Sequence, residues 1–201
     1  MKTSGNRSLK TAQRREQIML AALDVFLAQD MEDARVEDIC ARAKTSVGSI
    51  YHHFGDKKSL AEALYLAALY RYLYPLERKL RGEPSAQAFF KIIVSHHLSW
   101  VRNNAKWARY LLLVRRGNRS AELEAGIAAL NKKYLEHSFD LLRKYADHGG
   151  IRKLPRYLYA PLIMGPCQEL VRQYLENRGG EIPDSVADTV ADVIWRGLKN
   201  G

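Results

Sequence analysis

Between Arg35 and Phe54 the chain carries two short helical patterns separated by the polar residues Lys44, Thr45 and Ser46. Val36, Ile39 and Cys40 fall on one face of the first pattern. Ile50 and Phe54, four residues apart, fall on one face of the second. Ser46 stands where a side-chain oxygen caps the second helix, and Asp56 does the same for the helix that follows. Two helices at this spacing form the geometry that places side chains in the DNA major groove.

Such a helix needs an anchored inner face and a thin, polar outer one. Ser46, Ser49 and His53 share one outward stripe, with Thr45 and His52 beside it. Hydroxyls and imidazoles bond phosphates or base edges. Gly48 lets the backbone approach a neighbour closely. Lys57 sits in the first turn of the following helix, where free N–H groups and the positive dipole end favour a phosphate. Its ammonium adds a mobile point charge. The same residues also fit a plain three-helix corner with a solvated face.

Net charge is +10 over 201 residues, which fits a polyanionic partner, either nucleic acid or an acidic membrane surface. Lys2, Arg7, Lys10, Arg14 and Arg15 form a basic stretch without an acid that leads into the first helix. Basic residues recur in the second half, at Arg115, Arg116, Arg119, Lys132, Lys133, Arg152 and Lys153, so charge alone does not single out the head. Cys40 and Cys167 lie far apart on apolar faces and read as buried thiols, not as a metal site. No apolar run approaches a membrane span and no apolar signal core opens the chain. These features lead us to expect a cytoplasmic protein.

The chain reads as all-α. Expected helices cover about 12–29, 36–43, 47–53, a long stretch from Asp56 that Pro75 kinks or ends, then 85–103, 105–116, 120–147, 155–177 and 184–199. Gly149–Gly150 and Gly179–Gly180 read as C-terminal stops, and Pro183–Asp184 as a helix start. The boundary near Tyr72 divides a head, 12–72, from a body, 73–201.

The run from Glu37 to Lys57 resembles the signature of TetR-family regulators, with Ile18, Ala21, Ala22 and Phe26 at the matching places before it. The likeness covers about residues 12–72. Beyond that the chain matches only in being helical and of the right length. The resemblance implies an N-terminal helix-turn-helix head and a C-terminal ligand-binding and dimerisation body. It also implies a homodimer on a palindromic operator and repression relieved by a small ligand. Carried over by position, Thr45, Ser46, Val47, Ser49, Tyr51 and His52 face DNA. Tyr51 touches a phosphate with its hydroxyl, and Lys57 holds another. Arg35, Lys44, Gly48 and His53 complete the expected DNA set.

Four positions depart from the family pattern. Arg35 replaces the usual capping Ser or Thr, leaving Asp33 as a substitute cap and its own guanidinium for phosphate. Asp30 replaces a common glycine after the first helix. Lys44 replaces the turn glycine, so a positive φ there costs some strain while its ammonium gains reach to phosphate. Val47 stands where a polar residue is usual.

In the body, the resemblance makes the last two helices the dimer surface. Val186, Val190, Val193, Ile194 and Leu198 form a stripe on one, and Leu162, Leu170, Val171, Tyr174 and Leu175 on the other. Such stripes equally describe plain core. Gly165–Pro166 should kink the eighth helix. Pocket candidates from helices five to eight are His96, His97, Trp100, Trp107, Tyr110, Tyr134, His137, Met164 and Gln168. Core is the favoured reading for most of these aromatics. The body's excess of Lys and Arg fits an anionic effector and a solvated surface equally.

No HExxH, phosphate loop or nucleophile motif occurs, and the adjacent pairs His52–His53 and His96–His97 are poorly placed for chelation. The reading is therefore a DNA-binding transcriptional regulator, a ligand-responsive repressor without enzyme activity, cofactor or metal, and with no membrane partner. Its alternative is an all-α ligand- or partner-binding protein whose helix-turn-helix no longer reads specific DNA.

Overall fold

The computed structural model describes residues 3–29, 31–115, 119–176 and 183–200. The helices are α1 Thr3–Ala28, α2 Val36–Ala43, α3 Val47–Phe54, α4 Lys57–Leu80 and α5 Ala86–Asn103. They continue as α6 Ala105–Arg115, α7 Ala121–Asp147, α8 Arg156–Glu176 and α9 Asp184–Leu198. Among the described residues the one extended pairing is an isolated bridge between Ile151 and Lys199. The all-α class read from periodicity is the class observed. Asp30, Arg116, Gly179 and Gly180 lie outside the described residues, and so do the side chains of Arg7 and Arg115.

α1 starts earlier than expected, and at Pro75, where a kink or end of the fourth helix is expected, the chain stays helical. α1 begins at Thr3, so Lys10, Arg14 and Arg15 of the basic stretch stand on helix. α4 passes through Pro75 to Leu80. Pro75 has no N–H to give the Arg71 carbonyl four residues back. α5 fills the vacancy: Trp100 Nε1 donates to the Arg71 oxygen at 3.1 Å. His96 Nε2 bonds the next carbonyl, Tyr72, at 2.9 Å. A freed buried carbonyl costs on the order of 1–3 kcal/mol if left bare, so these two side chains let the helix continue. α8 likewise runs unbroken past Pro161 and Pro166. α7 stops where expected, with Gly149 at φ +71 and the Gly150 N–H on the Tyr145 carbonyl at 2.9 Å.

The chain packs as two compact units, Met1–Ala68 with Lys106–Leu123, and Leu69–Ala105 with Glu124–Gly201. A contiguous head ending near Tyr72 omits the 106–123 segment. That segment belongs to the first unit for side-chain reasons. The Tyr110 ring stacks on Phe26 with centroids 6.2 Å apart, and its hydroxyl donates to the Ala61 carbonyl at 2.8 Å. Lys106 Nζ reaches Asp24 Oδ1 at 2.6 Å.

In the first unit α1 packs on α2 and α2 on α3. Ile18, Ala22, Val25, Phe26, Ile39, Ile50, Leu60 and Leu64 are buried there. Each of the larger side chains among them, Ala22 aside, contributes about 1.5–3 kcal/mol on burial. In the second unit α5 packs on α8 and α9, and α8 on α9. Phe89, Phe90, Val94, Leu98, Ile163, Cys167 and Leu198 are buried among them. Both cysteines are buried and unpaired.

Candidate nucleic-acid interface and body cavity

The head is built around α3. Ile50 is fully buried and Phe54 nearly so, which fixes the helix's inner face. Its N-terminus is closed by Ser46, whose Oγ accepts from the Ser49 N–H at 3.2 Å. Its C-terminus is closed from α1. Arg15 Nη1 donates to the His53 carbonyl at 2.6 Å, and the guanidinium lies 4.2 Å over the Phe54 ring. A cation at a helix C-terminus also meets the negative end of its dipole. Sequence reading placed Arg15 in a basic stretch and missed this role, which joins residues 38 apart.

The flanking corners are equally specific. Lys44 ends α2 at φ +50, and its N–H bonds the Ala41 and Cys40 carbonyls. It therefore occupies the left-handed region where glycine is at ease. Arg35 stands at the N-cap of α2 without a side-chain cap. Asp56 caps α4, with Oδ1 accepting from the Ser59 N–H at 2.6 Å. That bond holds the Asp56 carboxyl below the usual range. Lys57 Nζ donates to the Glu32 and Ala34 carbonyls, both at 2.9 Å. Asp24 receives Lys106 and also Arg42 Nε at 3.1 Å. The hydrogen-bonded Lys106 ammonium chiefly lowers its carboxyl's pKa, with Arg42 adding to the effect.

Ser46, Val47, Gly48, Tyr51 and His52 are exposed, with Tyr51 at 47% and Val47 at 37%. Thr45 and Ser49 are half-buried beside them, and Lys44 and Arg35 are exposed, with Arg35 Nε 3.8 Å from Glu37 Oε2. His53 is less outward than the stripe implied. It is half-buried, with its ring against Phe54 at a centroid distance of 6.3 Å. Burial, then neighbouring His52, Arg15 and Arg14, push its pKa down, so the ring is neutral at pH 7. A Cβ added to Gly48 would meet only Ser46 Oγ, at 4.0 Å. The head itself thus has no steric need for glycine there. The result is a short outward face of hydroxyls, a phenol and an imidazole, with cations at its edge.

The second unit holds a cavity of about 280 Å³. It is lined by apolar residues of α4, α5, α7 and α8, among them Leu69, Leu73, Ile93, Leu135 and Ile163, together with a few polar side chains. Those are Tyr72, His97, Asn131, Ser138 and Gln168. His97 Nε2 and Ser138 Oγ are buried there without a hydrogen-bond partner. An apolar chamber with a few polar groups is the usual form of a small-molecule site.

Of the residues expected to line a pocket, Met164, Gln168 and His97 do so. His96 and Trp100 instead serve the carbonyls freed around Pro75. His137 Nε2 bonds the Leu80 carbonyl at the end of α4, at 3.2 Å. Tyr134 packs edge-on against Tyr70 and Tyr74. Trp107 and Tyr110 are buried in the first unit. Ser138, Asn131 and Tyr72 were not expected. A lone serine within a helical pattern carries no signal for a cavity until the neighbouring helices are in place.

On α8 and α9, Val171 and Ile194 point into the core, while Leu162 and Val193 are exposed at 46% and 64%. Leu170, Tyr174, Val186 and Val190 are half-buried. Among the described residues no group of histidine, cysteine and acidic side chains could hold a metal. No described helix is long and apolar enough to cross a membrane.

Residues 18–64 match the family model described as bacterial regulatory proteins, tetR family. Two regulatory relatives match across nearly the whole chain. The fatty acid metabolism regulator protein of Bacillus subtilis is 22% identical over 185 residues, covering 92% of this chain and 95% of that one. The HTH-type transcriptional activator FasR of Mycolicibacterium smegmatis is 23% identical over 200 residues, covering 98% and 87%. Among solved structures, FadR from Bacillus subtilis in complex with stearoyl-CoA superposes with a TM-score of 0.78 at 22% identity. That superposition covers 90% of this chain and 98% of FadR.

Proposed function

We propose that this chain, which belongs to the TetR family of DNA-binding transcriptional regulators, acts as a homodimeric repressor on a palindromic operator and releases it when an acyl-type effector enters the body cavity. The observation that carries the reading is the outward face of α3. Its exposed phenol and imidazole, with exposed and half-buried hydroxyls beside them, stand on or next to a helix anchored at both ends by Ser46 and Arg15. Two copies of such a helix, one turn of DNA apart, read the two halves of a palindrome. In this reading Thr45, Ser46, Val47, Ser49 and His52 meet bases and sugars. Tyr51, Arg35, Lys44 and Lys57 meet phosphates, and Gly48 admits the DNA backbone. His53 supports the helix from its half-buried side.

The exposed Leu162 and Val193, with half-buried Leu170, Tyr174, Val186 and Val190, supply the apolar surface for a second copy. The effector class rests on the cavity's mostly apolar lining and on the likeness to FadR, a protein solved with stearoyl-CoA. A cavity of 150 Å³ admits benzene, so 280 Å³ holds about eleven carbon atoms. A medium-length chain fits that space. The route to the head follows the chain itself. α5 carries His97, and after Asn104 it leads into α6, whose Lys106 and Tyr110 grip α1 and α4. An effector that shifts α5 therefore biases the head through α6.

The test is a fluorescence anisotropy titration on a fragment from the DNA upstream of the protein's own coding sequence. The expected result is tight binding that a decanoyl thioester weakens. Binding equal to that of bulk DNA at moderate salt would instead favour an all-α ligand-binding protein that no longer reads DNA.

A further inference from the structure

We infer that His97 and Ser138 together form a carbonyl-reading pair, which makes the cavity specific for a chain bearing an uncharged carbonyl oxygen over a bare hydrocarbon or a free carboxylate. The inference rests on the effector reading above and names the chemical group the site recognises.

The Tyr72 hydroxyl sits 3.0 Å from His97 Nδ1. The ring is enclosed by His96, His97 and Trp100, at centroid distances of 5.2, 5.6 and 5.2 Å. Burial raises the Tyr72 pKa well above its ordinary value, so the phenol keeps its proton. Among the described residues, the acceptor within reach of that proton is His97 Nδ1. Nδ1 therefore accepts, and in a neutral imidazole the proton must then reside on Nε2. Burial, with His96 next to it, lowers the His97 pKa to about 4, so the ring is neutral at pH 7.

His97 thus presents an N–H donor, fixed in tautomer by Tyr72, at a buried atom with no partner. Ser138 on α7 presents a second, an O–H that is also buried without a partner. Both side chains line the same cavity. Unmatched buried donors are costly in the free protein, and an incoming oxygen with two lone pairs can satisfy donors that line one cavity. A thioester, ester or ketone oxygen meets that need without bringing charge. A carboxylate brings a charge that neither donor nor any cation lining the cavity offsets. A hydrocarbon leaves both donors bare.

Calorimetry on the full chain at pH 7 tests this with the N-acetylcysteamine thioester of decanoic acid, with decanoate and with decane. The thioester should bind roughly tenfold or more tighter than either of the others, the worth of one to two net hydrogen bonds. Ser138→Ala should weaken the thioester roughly fivefold, leave decane unchanged and raise the melting temperature of the ligand-free protein by removing a bare hydroxyl. His97→Phe should weaken the thioester in the same selective way. If that variant does not fold, Ser138→Ala decides alone. Equal binding of thioester and decane, with both releasing the operator, would overturn the pair and leave the proposed function standing. Tightest binding by decanoate would also overturn it. Binding by none of the three would remove the effector reading and this inference with it.

Discussion

Lys57 Nζ and the Ala34 carbonyl oxygen lie 2.9 Å apart, and Glu32 offers a second carbonyl at the same distance. The first turn of α4 is thereby tied to the segment that leads into α2. Two of the three ammonium protons are used inside the head, leaving one for a phosphate. Lys57→Ala should therefore do two things at once. We predict a loss of about 1–2 kcal/mol in stability, from charge-assisted bonds at a partly exposed site. We also predict weaker binding to every DNA sequence, with the salt slope reduced by about one per half-site. Denaturant melts and anisotropy titrations at several salt concentrations measure the two separately. A lower stability with an unchanged slope would make Lys57 a strut and nothing more.

Lys44 holds φ +50 at the end of α2. A lysine there bears strain that glycine does not, while glycine gives the unfolded chain more freedom. Lys44→Gly should raise stability by about 0.5–1 kcal/mol. It should at the same time weaken DNA binding and flatten its salt dependence, because a cation at the edge of the outward face is gone. Gains in both stability and affinity would remove Lys44 from the phosphate set.

Gly48 has open space where a Cβ would go. Gly48→Ala should stabilise α3 by up to about 1 kcal/mol through helix propensity. If DNA approaches this backbone closely, the same methyl group should lower operator affinity by tenfold or more. A variant that is more stable and binds as well as the parent would show that Gly48 is not at the contact.

The acid behaviour follows from His97. Its folded pKa, about 4, lies below the ordinary 6.5. A histidine lowered in the folded state costs nothing above the unfolded value. As pH falls from 6.5 towards 4 the unfolded chain takes up a proton that the folded one refuses, so stability declines. The decline attributable to His97 is on the order of 3 kcal/mol. His53 and His96, also lowered and chiefly by burial, add in the same direction. Denaturant melts of parent and His97→Gln between pH 7 and 4 should show a shallower decline in the variant. Parallel curves would contradict the assignment.

Much of the head is legible in the sequence because its determinants are local. The Ser46 and Asp56 caps act on residues three positions away. The inward positions Ile50 and Phe54 follow from helical periodicity alone. What is not legible joins distant residues. Arg15 closes α3 from 38 positions away, and Tyr110 reaches Ala61 across 49. Neither contact leaves a mark in spacing or composition. The body is less legible for a related reason. His96 and Trp100 look like pocket residues, yet what they answer is the carbonyl deficit made by Pro75 on another helix. The cavity is marked by Ser138, a residue that helical pattern reading passes over.

Selection of DNA by the purified protein from a random duplex library, at moderate salt, shows whether the outward face of α3 reads sequence. The expected result is enrichment of one palindromic sequence whose half-sites are about one helical turn apart, bound at least ~10³-fold tighter than bulk DNA. Recovery of sequences with no shared motif, bound no tighter than the starting library, would contradict it.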